Sequence, residues 1–127
     1  MNIAICDDMP FFIENTENYI KEYEITYLVK FDVFKYLSGE DLINKFNENQ
    51  KLFDLIFLDQ YMNELTGVET ANQIRRYNTD CHIVFITSEN NHSVFQETKP
   101  MKILLKPVIK EQIFSVLDSI NLPMSTR

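Results

Sequence analysis

Residues 53–59 read FDLIFLD, a short apolar run that ends abruptly on a carboxylate. A run of this length, rich in Phe, Ile and Leu, is too short for a buried helix. It reads as a strand covered on both faces, hence a central strand of a parallel sheet. Asp59 then lies at its C-terminal tip, the edge of an open α/β sheet where the loops leave a crevice for ligands and chemistry. The remainder of the chain is read by what it brings to Asp59.

Towards the N-terminus, residues 3–6 (IAIC) form another compact apolar run, which ends on Asp7 and Asp8, and Pro10 suits the first turn of a helix. Phe12, Thr16, Tyr19, Ile20 and Tyr23 fall on one face of that helix. Residues 28–36 alternate, with Val29, Phe31 and Val33 against Lys30 and Asp32, which predicts a strand with one wet side and so an edge position. Ser38 followed by Asp41 resembles a capping box, opening a helix that carries Leu42, Ile43 and Phe46 inward.

Towards the C-terminus, a loop through Gly67 leads into a helix with Leu65, Val68, Ala71 and Ile74 inward and Arg75 and Arg76 outward. Residues 83–86 form a second continuous apolar strand, ending on Thr87. Residues 88–100 are polar, with Val94 and Phe95 their large apolar side chains, and predict a short, poorly anchored helix. Residues 101–105 predict the last strand, which ends on Lys106-Pro107. A helix follows with Ile109, Ile113, Val116, Leu117 and Ile120 on one face. Five strands alternating with five helices specify an α/β fold with right-handed parallel crossovers and helices on both faces of the sheet. A wet second strand and an apolar third favour the order 2-1-3-4-5.

The 127 residues suit one domain. A net charge of -7 argues against direct nucleic-acid binding, which draws its affinity from Lys and Arg on phosphates. Cys6 and Cys81 lack metal-ligand spacing and read as small buried residues of a reduced compartment. His82 and His92 likewise lack ligand spacing and read as solvent-facing or packing residues. With no signal-peptide pattern and no apolar run near eighteen residues, the expectation is a cytoplasmic protein without a membrane role.

The strand tips collect Asp7 and Asp8 from the first strand, Asp59 from the third, Thr87 from the fourth and Lys106 from the fifth. Neighbouring strands lie about 4.8 Å apart, so these side chains can converge. Two carboxylates at 4 Å repel by roughly 4 kcal/mol at an effective dielectric of 20, so cations are required. Lys106 supplies one charge; a divalent ion supplies the rest, and an all-oxygen ligand set suits Mg²⁺. A carboxylate beside Mg²⁺ and a lysine is poised as a nucleophile towards phosphorus, giving an aspartyl phosphate, with the Thr87 hydroxyl a donor to a phosphoryl oxygen.

With these residues the chain resembles the receiver domain of two-component response regulators, a flavodoxin-like (CheY-like) three-layer sandwich. The resemblance runs over residues 1–121 and rests on Asp7-Asp8, FLD ending at Asp59, Met62, Gly67, Thr87-Ser88 and Lys106-Pro107. It implies that Asp59 is phosphorylated from the phosphohistidine of a sensor histidine kinase. Asp8, Asp59 and the backbone carbonyl of Tyr61 would bind Mg²⁺ directly, and Asp7 mostly through water. Lys106 would contact the phosphoryl group, its bond to Pro107 would be cis, and Thr87 would move as the switch. A homodimer on phosphorylation is a further implied partner. SGEDLI and GVETANQIR look most like receivers of LytTR-type regulators, whose separate output domain binds DNA; residues 122–127 would then be a tail or the start of a linker to such a domain. Two positions depart from the pattern. Asn63 follows Met62 where proline is usual, and Ile103 stands where an aromatic switch residue is expected.

Three rival readings share parts of this pattern. A haloacid-dehalogenase-type phosphohydrolase wants a second Asp two residues after the nucleophile, where Tyr61 stands. A flavodoxin-like FMN binder needs a hydroxyl- and glycine-rich loop where this chain has Asp7-Asp8-Met9-Pro10. A receiver used only for docking, without phosphorylation, is suggested by Ile103 but retains every acid and the lysine.

Overall fold

In the computed structural model, which describes residues 1–121, FDLIFLD supplies strand β3, Leu55–Leu58, every side chain of which is buried. It lies at the centre of a five-stranded parallel sheet with β1 (Asn2–Cys6), β2 (Asp32–Tyr36), β4 (His82–Thr87) and β5 (Lys102–Leu105), in the order β2-β1-β3-β4-β5. The half-wet second strand is at one edge, as its alternation predicts. Among the described residues there are four α-helices: α1 (Pro10–Tyr27), α2 (Gly39–Glu48), α3 (Gly67–Arg75) and α4 (Lys110–Asn121). In place of a fifth, a 3-10 helix, His92–Thr98, joins β4 to β5. The tail expected at 122–127 lies outside the described residues.

Alternate side chains of each strand divide the core in two, because successive residues point to opposite faces. Ile3, Ile5, Leu55, Phe57, Val84 and Ile86 pack against Ile13, Ile20 and Tyr23 of α1 and Ile113, Val116 and Leu117 of α4. Ala4, Cys6, Ile56, Leu58, Ile83 and Phe85 pack against Leu42, Ile43 and Phe46 of α2, Ala71 and Ile74 of α3, and Phe95. Capping sets the helix starts. Ser38 Oγ accepts the Asp41 N–H at 3.0 Å, and Thr66 and Glu69 cap each other reciprocally in front of α3.

Four expectations need correction. The strand over 28–36 begins only at Asp32, because α1 runs on to Tyr27 and Leu28 ends it in a left-handed conformation (φ 54°). Ile109 is 51% exposed and precedes α4, whose buried face is Ile113, Val116 and Leu117. Arg75 does not point outward. Its guanidinium donates to the carbonyls of Thr98 and Cys81 at 2.7 Å each and to that of Lys99 at 3.1 Å. Together with Phe95, fully buried with its ring 4.4 Å from that of Phe85, it anchors the segment that reads as weakly held.

Candidate functional site

The C-terminal ends of β1, β3 and β5 bring the acids and the lysine together. At the tip of β1, Asp7 still bonds to the ladder through its N–H to the Tyr36 carbonyl (3.1 Å). Its Oδ1 accepts the Met9 N–H at 2.9 Å, immediately before Pro10 opens α1, so the start of the helix fixes this carboxylate and turns Oδ2 to the site. At the tip of β3, the Asp59 N–H donates to the Cys6 carbonyl at 3.0 Å. Gly67 is required here. A Cβ at that position would collide with the Asp59 carbonyl oxygen, and its N–H donates to the Gln60 carbonyl at 2.9 Å, folding α3 back onto the strand tip.

Lys106 enters from β5, its N–H donating to the Thr87 carbonyl at 2.9 Å, and its bond to Pro107 is cis. Its Nζ lies 2.9 Å from Asp7 Oδ2 and 3.3 Å from Asp59 Oδ1, and 3.9 Å from the centre of the Phe12 ring. Asp7 and Asp59 are each only 4% exposed, while Asp8 is half-buried. One oxygen from each of the three acids falls within 4.8 Å of the others. Asp7 and Asp59 border a small pocket of about 10 Å³ that is lined also by Phe12, Thr16, Phe57 and Ile86.

Burial pushes the Asp59 carboxyl up to about 6; the charge of Asp7 pushes the same way, and Lys106 offsets it only in part. One ammonium therefore does not balance three acids. The donor set is hard oxygen throughout, with a half-buried member facing the loops, and it fits Mg²⁺. The nearby Cys6 is no competitor for chemistry: burial, followed by the charges of Asp7 and Asp59, raises its thiol far above the usual range. It donates to the Ser38 carbonyl and lies 3.7 Å from the sulfur of Met62.

Thr87 is fully buried at the end of β4, and its Oγ1 accepts the Glu89 N–H at 3.1 Å. Glu89 in turn accepts the Tyr61 hydroxyl at 2.6 Å, a bond that joins the loop after β3 to the loop after β4. Tyr61 itself is half-exposed in the first of these loops. Ile103 is partly buried among Leu58, Phe85 and their neighbours. Of the histidines, His82 is exposed; His92 is half-buried beside Phe95, and its Nε2 is a buried atom without a hydrogen-bond partner among the described residues.

Sequence reading missed Phe12 as a site residue, since helical period placed it on the core face, where its neighbour Ile13 is the buried one. It also missed the Tyr61–Glu89 bond, for which residue types 28 apart on two loops give no signal. Thr66-x-x-Glu69 was available as a capping box.

The chain is similar to known proteins along most of its length. Residues 3–118 match the sequence model of the response regulator receiver domain. The two-component response regulator ARR22 of Arabidopsis thaliana is 31% identical over 84 residues, a match spanning 63% of this chain and 59% of that protein's own length. The crystal structure of the response regulatory domain of mrkE from Klebsiella pneumoniae superposes with a TM-score of 0.82 at 25% identity, over 95% of each chain. In fold alone, the chain is also similar to a crystal structure of a CheX-CheY-BeF3-Mg complex from Borrelia burgdorferi, with a TM-score of 0.78 at 14% identity over 97% of this chain and 90% of that one. No helix among the described residues is long and apolar enough to cross a membrane.

Proposed function

Because the chain belongs to the response regulator receiver domain family, we propose that Asp59 is its phosphoacceptor, taking a phosphoryl group from the phosphohistidine of a sensor histidine kinase. The observation that carries this reading is the Lys106 ammonium held between Asp7 and Asp59 at 2.9 and 3.3 Å, at the tip of the central strand. Asp7, Asp8 and Asp59 would hold Mg²⁺, with the Tyr61 carbonyl a further ligand. Bound there, the ion would neutralise the acids and charge on the transferring group.

In the proposed reaction an Asp59 carboxylate oxygen forms a bond to phosphorus as the phosphorus–nitrogen bond of the donor breaks, and the imidazole leaves with the electron pair. Lys106, released from its bond to the free carboxylate, follows the charge to a phosphoryl oxygen. The Thr87 hydroxyl accepts from Glu89 and still has its own proton to donate. Donating it to the phosphoryl group draws Thr87 inward, pulls on Glu89 and loosens its bond to Tyr61. The protein would then act as a signalling domain, with no turnover beyond its own phosphorylation and dephosphorylation.

On this reading residues 1–121 are the receiver unit, and 122–127 a tail or the start of a linker to an output domain. A cytoplasmic setting, a homodimer on phosphorylation and a LytTR-type DNA-binding output belong to the same proposal; the last rests on SGEDLI and GVETANQIR. One observation favours a second reading, a docking module indifferent to phosphorylation: the aliphatic Ile103 at the switch position, already packed into the core.

Intact mass after incubation with acetyl phosphate, with and without EDTA, tests the proposal. The wild type should gain one phosphoryl group only when Mg²⁺ is present, and Asp59→Asn none. Equal labelling of Asp59→Asn, or labelling that ignores chelation, would overturn it.

A further inference from the structure

Three groups surround the Lys106 ammonium: Asp7 Oδ2, Asp59 Oδ1 and the face of the Phe12 ring. The two carboxylates attract it as ion pairs and the ring face by a cation–π contact. Two of the partners are acids that the proposed reaction changes, since Asp59 becomes an acyl phosphate and Asp7 belongs to the cation-binding set. Phe12 is the partner that the reaction leaves unaltered.

The ring is held where it is by the start of α1. Met9 donates to Asp7, Pro10 opens the helix, and the Phe12 N–H donates to the Met9 carbonyl at 3.0 Å. Phe11 meets the ring edge-on at 5.3 Å. Phe12 lines the small pocket of about 10 Å³ beside Asp7 and Asp59 together with Thr16, Phe57 and Ile86. Phe12 is only half-buried, while Ile13 beside it makes the helix's core contact, so the packing of α1 on the sheet does not need an aromatic ring at position 12. The Lys106 side chain is 13% exposed, and a cation over a ring face is attracted more strongly when water is excluded.

We infer that Phe12 is a positioning residue for phosphoryl transfer: its ring face fixes the Lys106 ammonium over the site while the acids around it change state. This rests on the reading of Asp59 as phosphoacceptor. With acetyl phosphate as donor, the carboxylate oxygen of Asp59 bonds to phosphorus as the bond to the acetyl oxygen breaks, and acetate leaves with the electron pair. Lys106 offsets the charge moving onto the phosphoryl oxygens, and a lysine free to wander does so less often.

The experiment replaces Phe12 with mono-, di- and trifluorophenylalanine, which drain the ring face of negative charge with little change in size, and with Tyr and Leu. Phosphorylation by acetyl phosphate in Mg²⁺ is followed by intact mass, alongside thermal melts. The rate should fall stepwise with each fluorine, to roughly a tenth for the trifluoro ring, while melting temperature stays level. Phe12→Tyr should stay near wild type and Phe12→Leu should fall at least as far as the trifluoro variant. In a Lys106→Ala background the fluorine dependence should vanish, which a purely structural role of the ring would not produce. A rate that ignores fluorination, or a dependence that survives Lys106→Ala, overturns the inference and leaves the phosphoacceptor reading intact. A wild type that takes up no phosphoryl group overturns both. Should Phe12→Leu fail to fold, the fluorinated series decides.

Discussion

On the β1 flank the site is backed by the eighteen residues of α1, which bury Ile13, Thr16, Ile20 and Tyr23 and tie to α4 through the Tyr23 hydroxyl on Asp118. On the β4 flank it is backed by a seven-residue 3-10 helix that buries Phe95 and Thr98. The first flank carries Asp7, Asp8 and Phe12; the second carries Thr87 and Glu89. Two of the three crowded acids thus sit on the side with a long continuous interface, and the candidate switch, with Lys106 entering beside it from β5, on the side held at a few points. A few points can release together, whereas an eighteen-residue helix packed along its length opens only with much of the fold.

The largest test of this contrast is Arg75. Its planar fork satisfies carbonyls from the end of the 3-10 helix and from the turn before β4, a geometry that an ammonium cannot reproduce. Arg75→Ala leaves partly buried carbonyls without their donor and should cost about 2–3 kcal/mol, and Arg75→Lys should recover less than half. Hydrogen exchange should show the loss concentrated over residues 92–99. If exchange in α1 rises as much as there, the two flanks are one cooperative unit and the contrast fails.

The crowded acids give the next effect, and it should be global, because Asp59 sits on the central strand. Its folded-state pKa is raised to about 6 by burial and then by Asp7, against 3.8 for the free group. The folded protein therefore holds this proton more tightly than the unfolded chain does. Without a metal ion, stability contributed by protonated Asp59 is fully present below about pH 4 and is lost as pH rises through 6. Other carboxylates titrate over the same range, so the quantity to measure is the difference between wild type and Asp59→Asn in denaturant midpoints in EDTA. The variant should gain on the order of 2 kcal/mol relative to wild type between pH 4 and 7. A difference that stays constant across that window would mean Asp59 is not destabilised by its neighbours.

How far the sequence carries this picture differs between the flanks in the same way. FDLIFLD and IAIC mark β3 and β1 because buried parallel strands are continuous apolar runs, and their terminal acids mark the site. Strand order then brings Lys106 to Asp59 without further information. The β4 flank was harder to read. Arg75 lies next to Arg76 in what reads as a polar helix face, and its partners are main-chain carbonyls, to which residue types give no clue. Phe95 looks isolated among polar neighbours, though a single ring on Phe85 does the anchoring. The overlong second strand has a similar cause: Val29 and Phe31 keep the alternation going through a connection whose real break is the backbone of Leu28, a leucine at positive φ.

The smallest expected effect is the signal itself. Drawing the Thr87 hydroxyl towards a phosphoryl oxygen moves the Glu89 N–H bonded to it, and the Tyr61–Glu89 bond must then lengthen or break. Residues 88–94 are mostly exposed and give way easily, but Phe95 and the Arg75 fork stop the movement one turn later. Ile103, opposite Phe85 in the ladder, offers no ring to swing inward and lock the shifted state. A beryllofluoride mimic in Mg²⁺ should therefore change populations by about 1 kcal/mol or less rather than throw a clean switch. Hydrogen exchange should register it over residues 88–94 and 101–105, little over residues 10–50, and more weakly in Thr87→Ala. Ile103→Tyr should enlarge the response, and Arg75→Ala should extend it through residue 99. Changes centred on α1 instead, or an Ile103→Tyr response no larger than that of wild type, would show that the signal does not leave through Thr87, and that the contrast between firmly and lightly held flanks is not what the protein uses.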